Sequence, residues 1–413
     1  MSNIYTAIDL GTDSIKILVM KKSYDNFNVL TAVNSPSNGI KDGEVVDIKE
    51  CVTSVKKALR KANDMLGIKI TKVIACVPPK YCDMDIAIGS VDVEDYNKIT
   101  GRDISNVLKD AVINQIDDEH EIVTAVPISF TIDDEENIKD PKGMKGKILE
   151  TKLVLSTVPK EGLYRILEVL KLSGVEATDI AYTSTGDYFA VKNNKLDKEA
   201  GVVVNIGENS TNVAVFNKGI QIKNSTINLG SHNIDKDISF MYKISPEKAK
   251  ELKETFAVSM ENYADSNDVV ELKLEDGETK EINQVGISKI VESRLTEIFK
   301  LVKNEIKNLT NREIRYIIIT GGLSELAGFQ YIVDEEFGFK AKVCNITTVG
   351  IRHNKYSSVY GTIKYFDDKL LLRDKKVTMI STENMKSLIT TEEKVINNNT
   401  NIISKVFGHF FDN

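Results

Sequence analysis

Residues 7–12 read Ala7-Ile8-Asp9-Leu10-Gly11-Thr12, and residues 203–208 read Val203-Val204-Asn205-Ile206-Gly207-Glu208. Each is an apolar run that delivers a polar residue, an apolar residue and a glycine into a turn, and each is followed by a second apolar run. Aligned, Asp9 faces Asn205 and Gly11 faces Gly207, with one offset at every paired position. That regularity suggests an internal duplication. A third strand-like run, 313–320, ends in Thr320-Gly321-Gly322. Glycine at such turns lets backbone N–H groups approach phosphate oxygens with no Cβ in the way. Thr12, Ser210 and Thr211 are candidate hydroxyl donors, and the Asp9 carboxylate at a strand end can hold a hydrated Mg²⁺. One such hairpin is ordinary structure. Two matched hairpins and a glycine pair, which opens a path for an adenosine, read as a nucleotide site. There is no GxxxxGK[ST], so the P-loop class is excluded.

Outward from these turns, the chain alternates strands and helices. Strands are predicted at 5–10, 14–20, 28–34, 72–77, 121–126 and 150–157, and helices at 47–66, 103–116 and 160–172. A charged loop, 133–147, separates two of the strands. The second half opens with strand–turn–strand over 201–216, then helices near 234–242, 246–256 and 287–309, and a last core helix at 357–366. This alternation predicts α/β lobes. With 413 residues, the chain exceeds the about 250–300 residues of a single core, so at least two domains are expected.

The bulk composition narrows the function. Apolar residues make up 41% and charged residues 28%, as in an ordinary globular chain. A net charge of −7 argues against nucleic acid as a partner. Cys51, Cys76, Cys82 and Cys344 form no CxxC pair and read as reduced core thiols. The start, MSNIYTAIDLGT, lacks the pattern of a secretory signal. No window approaches the roughly 20 apolar residues of a membrane span. A cytoplasmic chain is expected.

Taken together, the hairpins and the glycine pair resemble the actin, sugar-kinase and heat-shock chaperone ATPase superfamily, and within it the FtsA family of bacterial actin-like cell-division proteins. The more specific signal is Lys139-Asp140-Pro141-Lys142-Gly143-Met144-Lys145-Gly146, followed by Leu149-Glu150, which is similar to a loop of that family's inserted subdomain. Residues 121–130, with Val126-Pro127, fit the same subdomain. Thr348-Val349-Gly350-Ile351-Arg352, followed by 356–365, resembles the closing segment. The resemblance covers about residues 4–366 and the C-terminal helix.

The resemblance implies an actin-like, two-lobed α/β fold. Lobe 1 would span 1–187, with core 1–82 and 163–187, an FtsA-type inserted subdomain at about 83–162, and 350–366 closing on it. Lobe 2 would span 188–349, with an outer subdomain at about 232–305. A disordered linker, 367–400, would lead to an amphipathic helix at 401–413. The implied cofactors are ATP and Mg²⁺, with at most weak ATPase activity. The implied nucleotide contacts are Asp9, Gly11, Thr12, Asp13, Asn205, Gly207, Asn209, Ser210, Thr211, Lys253, Gly321, Gly322 and Leu323, with Asp9 holding the metal through water. The implied partners are the C-terminal peptide of FtsZ, docked on the outer subdomain, further copies in protofilaments, membrane lipids and other divisome proteins. The implied place is the cytoplasmic face of the membrane at the division site.

Three departures bear on catalysis. Relatives usually carry Asp-Ile-Gly-Gly-Gly-Thr at the second hairpin, where this chain has Asn205 and Glu208. Asn205 lacks the charge that helps hold a metal's water shell. The family commonly has Ala-Glu in the helix near 246–256, with a lysine three residues on. This chain has Ala249-Lys250 and Lys253, keeping the lysine and losing the acid. Slow hydrolysis or weak nucleotide binding is the sharper expectation, and a drifted loop that still binds ATP the plainer one.

Near the end, Ile402, Ile403, Val406, Phe407, Phe410 and Phe411 recur at helical spacing on one face. A helix of about 12 residues is about 18 Å long, too short to span a bilayer, but suited to lying in the interface. Six apolar side chains at roughly 1.5 kcal/mol each give about 9 kcal/mol gross. Ordering about 12 residues at roughly 1 kcal/mol each offsets that. One tail therefore binds weakly, and many tails on a filament bind firmly. The alternative is a helix docked on its own core. At the level of function, a small-molecule kinase of the same superfamily and a PilM-like pilus-assembly protein are the other readings. Neither calls for an amphipathic tail.

Overall fold

The run Ile4-Tyr5-Thr6-Ala7-Ile8 has no polar alternation, and the strand it forms, Asn3–Leu10, is buried on both faces. In the computed structural model, residues 3–24, 26–113, 115, 117–273, 279–372 and 377–380 are described. The chain divides into two compact units. The first gathers the described residues up to Ala190, Thr347–Ile351 and the described residues from Ser358 onward. The second gathers Val191–Ile346 and Arg352–Ser357.

The core of the first unit is a five-stranded sheet in the order Glu176–Tyr182, Lys72–Val77, Asn3–Leu10, Ser14–Ser23, Asn26–Pro36. The last three are an antiparallel meander, and the first two run parallel to Asn3–Leu10. Helix Ile48–Leu66 covers one face. The Asp47 carboxylate accepts from Glu50 N–H at its start, and Gly67 closes its end in the left-handed conformation.

The second unit repeats this plan. Its sheet runs Ile220–Ile227, Thr211–Asn217, Ala200–Ile206, Tyr316–Thr320, Ala341–Val343. Again a three-stranded meander is flanked by two parallel strands. The likeness between the two glycine turns therefore extends to whole sheets.

Inserted in the first unit is a four-stranded antiparallel sheet in the order Asp83–Asp92, Ile148–Pro159, His120–Ile132, Glu135–Ile138. Helix Gly101–Val112 packs on it through Ile104, Val107, Leu108 and Ala111. Part of the expected charged loop is thus a strand. Glu135–Ile138 pairs with the end of His120–Ile132 across a turn at Asp133. The segment 139–146 is bonded to the chain before the helix. Gly143 N–H donates to Ile99 O at 2.8 Å, Ile99 N–H to Met144 O at 2.8 Å, and Gly146 N–H to Tyr96 O at 3.1 Å. These bonds make it a clasp of the subdomain.

The inserted helix starts on a capping box. The Asp103 carboxylate accepts from Thr100 N–H at 2.8 Å and from the Thr100 hydroxyl at 2.6 Å, and from Glu94 N–H at 3.2 Å. Burial works against the Asp103 charge, but these bonds outweigh it and hold its pKa below the usual carboxylate value. Stability from this group is therefore full above the unfolded carboxylate value near about pH 4, and is lost as pH falls through the folded value. Asp103→Asn should lower stability by about 1–2 kcal/mol at pH 7. Melting curves from pH 7 to pH 3 should show wild type's advantage over this variant constant to about pH 4 and shrinking below. A gap that is independent of pH would refute the assignment.

Helix Thr183–Val191, which the sequence reading missed, crosses the last helix, Ser357–Leu372, backbone to backbone. An added Cβ on Gly361 would sit 1.7 Å from Gly186 O, and one on Gly186 would sit 2.2 Å from Ser358 O. The last helix also runs past the expected end of the core at 366. Asp367 is buried, accepts from the Tyr5 hydroxyl at 3.0 Å and pairs with Lys22, while Lys369 pairs with Asp179 at 2.7 Å. These ion pairs correct the expected linker start at 367. Residues 378–380 then lie beside the first strand. Met379 N–H donates to Ile4 O at 2.9 Å, and Ile4 N–H to Thr378 Oγ1 at 3.1 Å. The expected closing segment, 350–366, is also divided, because Arg352–Ser357 are held in the second unit. There Asn354 N–H donates to Glu325 Oε1 at 2.6 Å and its amide to Ser324 Oγ at 2.9 Å. The rest of the expected linker, apart from 377–380, and the expected terminal helix with Ile402, Ile403, Val406, Phe407, Phe410 and Phe411 lie outside the described residues.

Candidate functional site

The first hairpin is built by the strands Asn3–Leu10 and Ser14–Ser23. Their register sets Asp9 opposite Lys16. Lys16 Nζ donates to Asp9 Oδ2 at 3.3 Å and to Ser14 O at 3.3 Å, and both side chains keep 14% of their surface exposed. Gly11 sits against this pair, where an added Cβ would lie 2.8 Å from Ser14 O and 3.1 Å from Lys16 Nζ. A carboxylate, an ammonium and an open backbone thus share one turn. That donor set fits a phosphate group with its metal: the lysine answers phosphate oxygens, and the carboxylate answers a hydrated cation. Thr12 and Asp13 complete the turn. The Thr12 hydroxyl oxygen accepts from Gly43 N–H at 3.1 Å, and Asp13 O accepts from Ser37 N–H at 3.0 Å. Lys16 was not among the residues expected. The legible signal was period two, because the cross-strand partner of Asp9 shares its face.

Behind Asp9, in parallel register, lies Cys76. Burial, then the nearby Asp9 and Asp187 carboxylates, push its thiol well above the usual cysteine value. It stays protonated, which suits a structural residue. None of the four cysteines is in a disulfide.

The second hairpin has the same register with different chemistry. Asn205 faces Asn212, so an amide pair stands where the first hairpin has a carboxylate and an ammonium. Gly207 N–H donates to Ser210 O at 2.9 Å, closing the turn around Glu208 and Asn209. Gly207 O and Glu208 O accept from Ser231 and His232 N–H, the first turn of helix Ser231–Tyr242. The Thr211 hydroxyl is fully buried and donates to Leu229 O at 2.8 Å. That bond corrects its expected part as a phosphate donor: it ties the hairpin to the segment before that helix.

Strand Tyr316–Thr320 delivers Gly321 at φ +99° and ψ 168°. An added Cβ there would lie 2.3 Å from Ile206 O and 2.7 Å from Asn205 Oδ1. Gly321 therefore lets the second hairpin and the glycine pair meet. Gly322 has open space around its Cα. The Leu323 side chain is buried in the core of the unit, which leaves its main chain as what it can offer.

Lys253 was expected to contact a nucleoside. It sits on helix Pro246–Thr255, 2% exposed, with Nζ 2.7 Å from Asp235 Oδ1, itself 1% exposed. Its charge is matched inside the protein. One turn earlier, Lys250 lies with Nζ 3.6 Å from Glu208 Oε1, and these side chains are 33% and 21% exposed. The acid gained in the second hairpin and the lysine gained in the helix thus face each other. Among the described residues, no group of three or more His, Cys, Asp or Glu side chains is placed to hold a metal ion.

Two family models match the chain. One, described as cell division protein FtsA, covers residues 202–361, and the other, described as the SHS2 domain inserted in FTSA, covers 81–157. The cell division protein FtsA of Bacillus subtilis (strain 168) is 29% identical over 380 residues, 91% of this chain and 86% of that protein. The cell division protein FtsA of Streptococcus pneumoniae is 28% identical over 358 residues, 86% and 78% of the two chains. The chain belongs to the FtsA family. It is an actin-like cell-division protein by that membership. Among solved structures, the PilM-PilN type IV pilus biogenesis complex gives a TM-score of 0.60 at 12% identity, over 87% of this chain and 98% of that one. MreB5 of Spiroplasma citri bound to ADP gives 0.55 at 12% identity, over 90% and 98%. These two likenesses speak for the actin-like fold alone. The FtsA family's inserted domain, in this chain, is the four-stranded sheet with its covering helix.

Proposed function

We propose that this chain is an ATP-binding adaptor of cell division that assembles into filaments, attaches to the membrane through residues 401–413 and holds FtsZ there. The observation that carries this reading is the match to the FtsA family in both the inserted sheet and the second unit. A small-molecule kinase would have no use for that inserted sheet.

In the first unit, Asp9, Lys16 and Gly11 would take up phosphate and Mg²⁺. Within the second unit, the hairpin at Gly207 and the Gly321-Gly322 turn would offer their backbone N–H groups to a nucleotide. Bound Mg²⁺ would neutralise phosphate charge. Asn205 and Asn212 bring no charge with which to orient a metal's water, so slow hydrolysis is expected. In the second unit, helix Ser231–Tyr242 carries Phe240 and Met241, 82% and 61% exposed. Adjacent exposed apolar side chains of this size suit the docking of a peptide such as the FtsZ tail. No helix among the described residues is long and apolar enough to cross a membrane. Attachment would therefore rest on the Ile402–Phe411 stripe.

Flotation with liposomes tests this reading. The full chain with ATP should float and bring FtsZ with it. The chain lacking residues 401–413 should stay at the bottom with its FtsZ, a loss of at least about tenfold in the floated fraction. Unchanged flotation without those residues would sink the membrane role, and flotation of the full chain without FtsZ would sink the adaptor role.

A further inference from the structure

Helix Pro246–Thr255 carries three lysines, and two of them, Lys250 and Lys253, one turn apart, answer acids on neighbouring elements. Lys253 meets Asp235 in a buried pair at 2.7 Å. Lys250 meets Glu208, a residue of the second glycine turn, at 3.6 Å with both side chains partly in solvent. The two pairs differ in what they can do. The buried pair cannot exchange partners without leaving a charge stranded in the core. The solvent-facing pair is longer than a hydrogen bond and lies within reach of solutes, so its lysine can exchange one anion for another. Meanwhile the turn itself is anchored: its Gly207 and Glu208 carbonyls accept from Ser231 and His232 N–H.

We propose that Lys250, rather than Lys253, is the cation with which the second glycine turn reads a nucleotide's phosphate chain, and that Glu208 is the built-in competing anion that sets its affinity. This rests on the nucleotide reading given above. Without a ligand, Glu208 and Lys250 neutralise each other at the turn. A polyphosphate brings a denser negative charge and draws Lys250 away from the carboxylate, at the cost of leaving Glu208 near the phosphates. The pair thereby lowers affinity for weakly charged anions more than for a polyphosphate. It also accounts for two departures from the family pattern at once. An acid in the phosphate turn is tolerable because a lysine replaces an acid on the facing helix.

Equilibrium binding of a fluorescent ATP analogue with Mg²⁺ to the full chain, alongside melting without nucleotide, tests the proposal. Lys250→Gln should weaken binding about tenfold, and Glu208→Gln should tighten it by about three- to tenfold. The exchanged pair, Glu208→Lys with Lys250→Glu, should bind within about threefold of wild type. All variants should melt within about 2 °C of wild type, because an exposed pair adds little to stability. Wild-type binding that neither single substitution alters would overturn the proposal while leaving the nucleotide reading in place. Loss of binding by Lys250→Gln accompanied by a large fall in melting temperature would also overturn it, as a structural role. A wild type that binds no nucleotide would overturn both.

Discussion

Gly361→Ala should lower the melting transition of the first unit by roughly 10–20 °C, corresponding to about 4–5 kcal/mol. In most helices this substitution is stabilising by about 0.5–1 kcal/mol, because glycine loses more backbone entropy on folding than alanine. Here the sign reverses. The new methyl would lie 1.7 Å from Gly186 O and 2.5 Å from Ala190 N. Those neighbours are main chain, so no rotamer change can relieve the overlap, and the helices must separate. Separation would loosen the Thr362–Cys76 contact, the Ser358–Asp187 hydrogen bond and the ring contact between Phe189 and Tyr365. Gly162→Ala is the matched control. It lies on helix Lys160–Leu172 of the same unit, and its added methyl meets nothing within 4 Å. Calorimetry should find it as stable as wild type or slightly more so. Equal melting of the two variants would refute the close helix crossing.

A loss of at least about 100-fold in binding of an ATP analogue is expected for Gly321→Ala, equivalent to about 2.8 kcal/mol. Two costs combine. Its backbone at φ +99° and ψ 168° lies in a region that only glycine populates readily, at about 1–3 kcal/mol for another residue. The methyl would also press on Ile206 O and Asn205 Oδ1. Either the turn rotates or the end of strand Ala200–Ile206 moves away, and both displace the second hairpin. Titration with the fluorescent analogue reads the loss directly. An unchanged Kd in a folded variant would show that these two turns take no part in binding.

Much of the fold was legible because its signals are local. Glycine turns, β-branched runs and the spacing of Val52, Val55, Leu59 and Ala62 do not depend on distant partners. Helix 160–172 matched residue for residue. The misses have physical reasons. Helix Thr183–Val191 is buried nearly all round, so it has no polar stripe to betray it. Three of the four residues of strand Glu135–Ile138 are polar and exposed, and its pairing comes from the turn at Asp133. Asp367 and Lys369 look like linker residues until Lys22, Tyr5 and Asp179 supply their partners from far along the chain. The site divides in the same way. Asp9 and Gly11 could be read from one strand and its turn. The burial of Lys253 depends on Asp235 and the meeting of Lys250 with Glu208 on two separate elements, so neither could be seen in one stretch of sequence.

The helix that finishes the first unit is also, among the described residues, the last one made. Tyr5 and Cys76 emerge early from the ribosome, yet their covering residues, Phe366 and Thr362, come near the end of translation. At about 5–20 residues per second, the roughly 180 residues from Ala190 to Leu372 take on the order of 10–40 s to synthesise. Through that interval the second unit can close its sheet while the earlier one waits with an apolar face uncovered, a natural client for holding chaperones. A chain stopped before Ser358 would be an unfinished first unit rather than a smaller functional protein, whereas one stopped after Ile380 keeps every covering residue described for it.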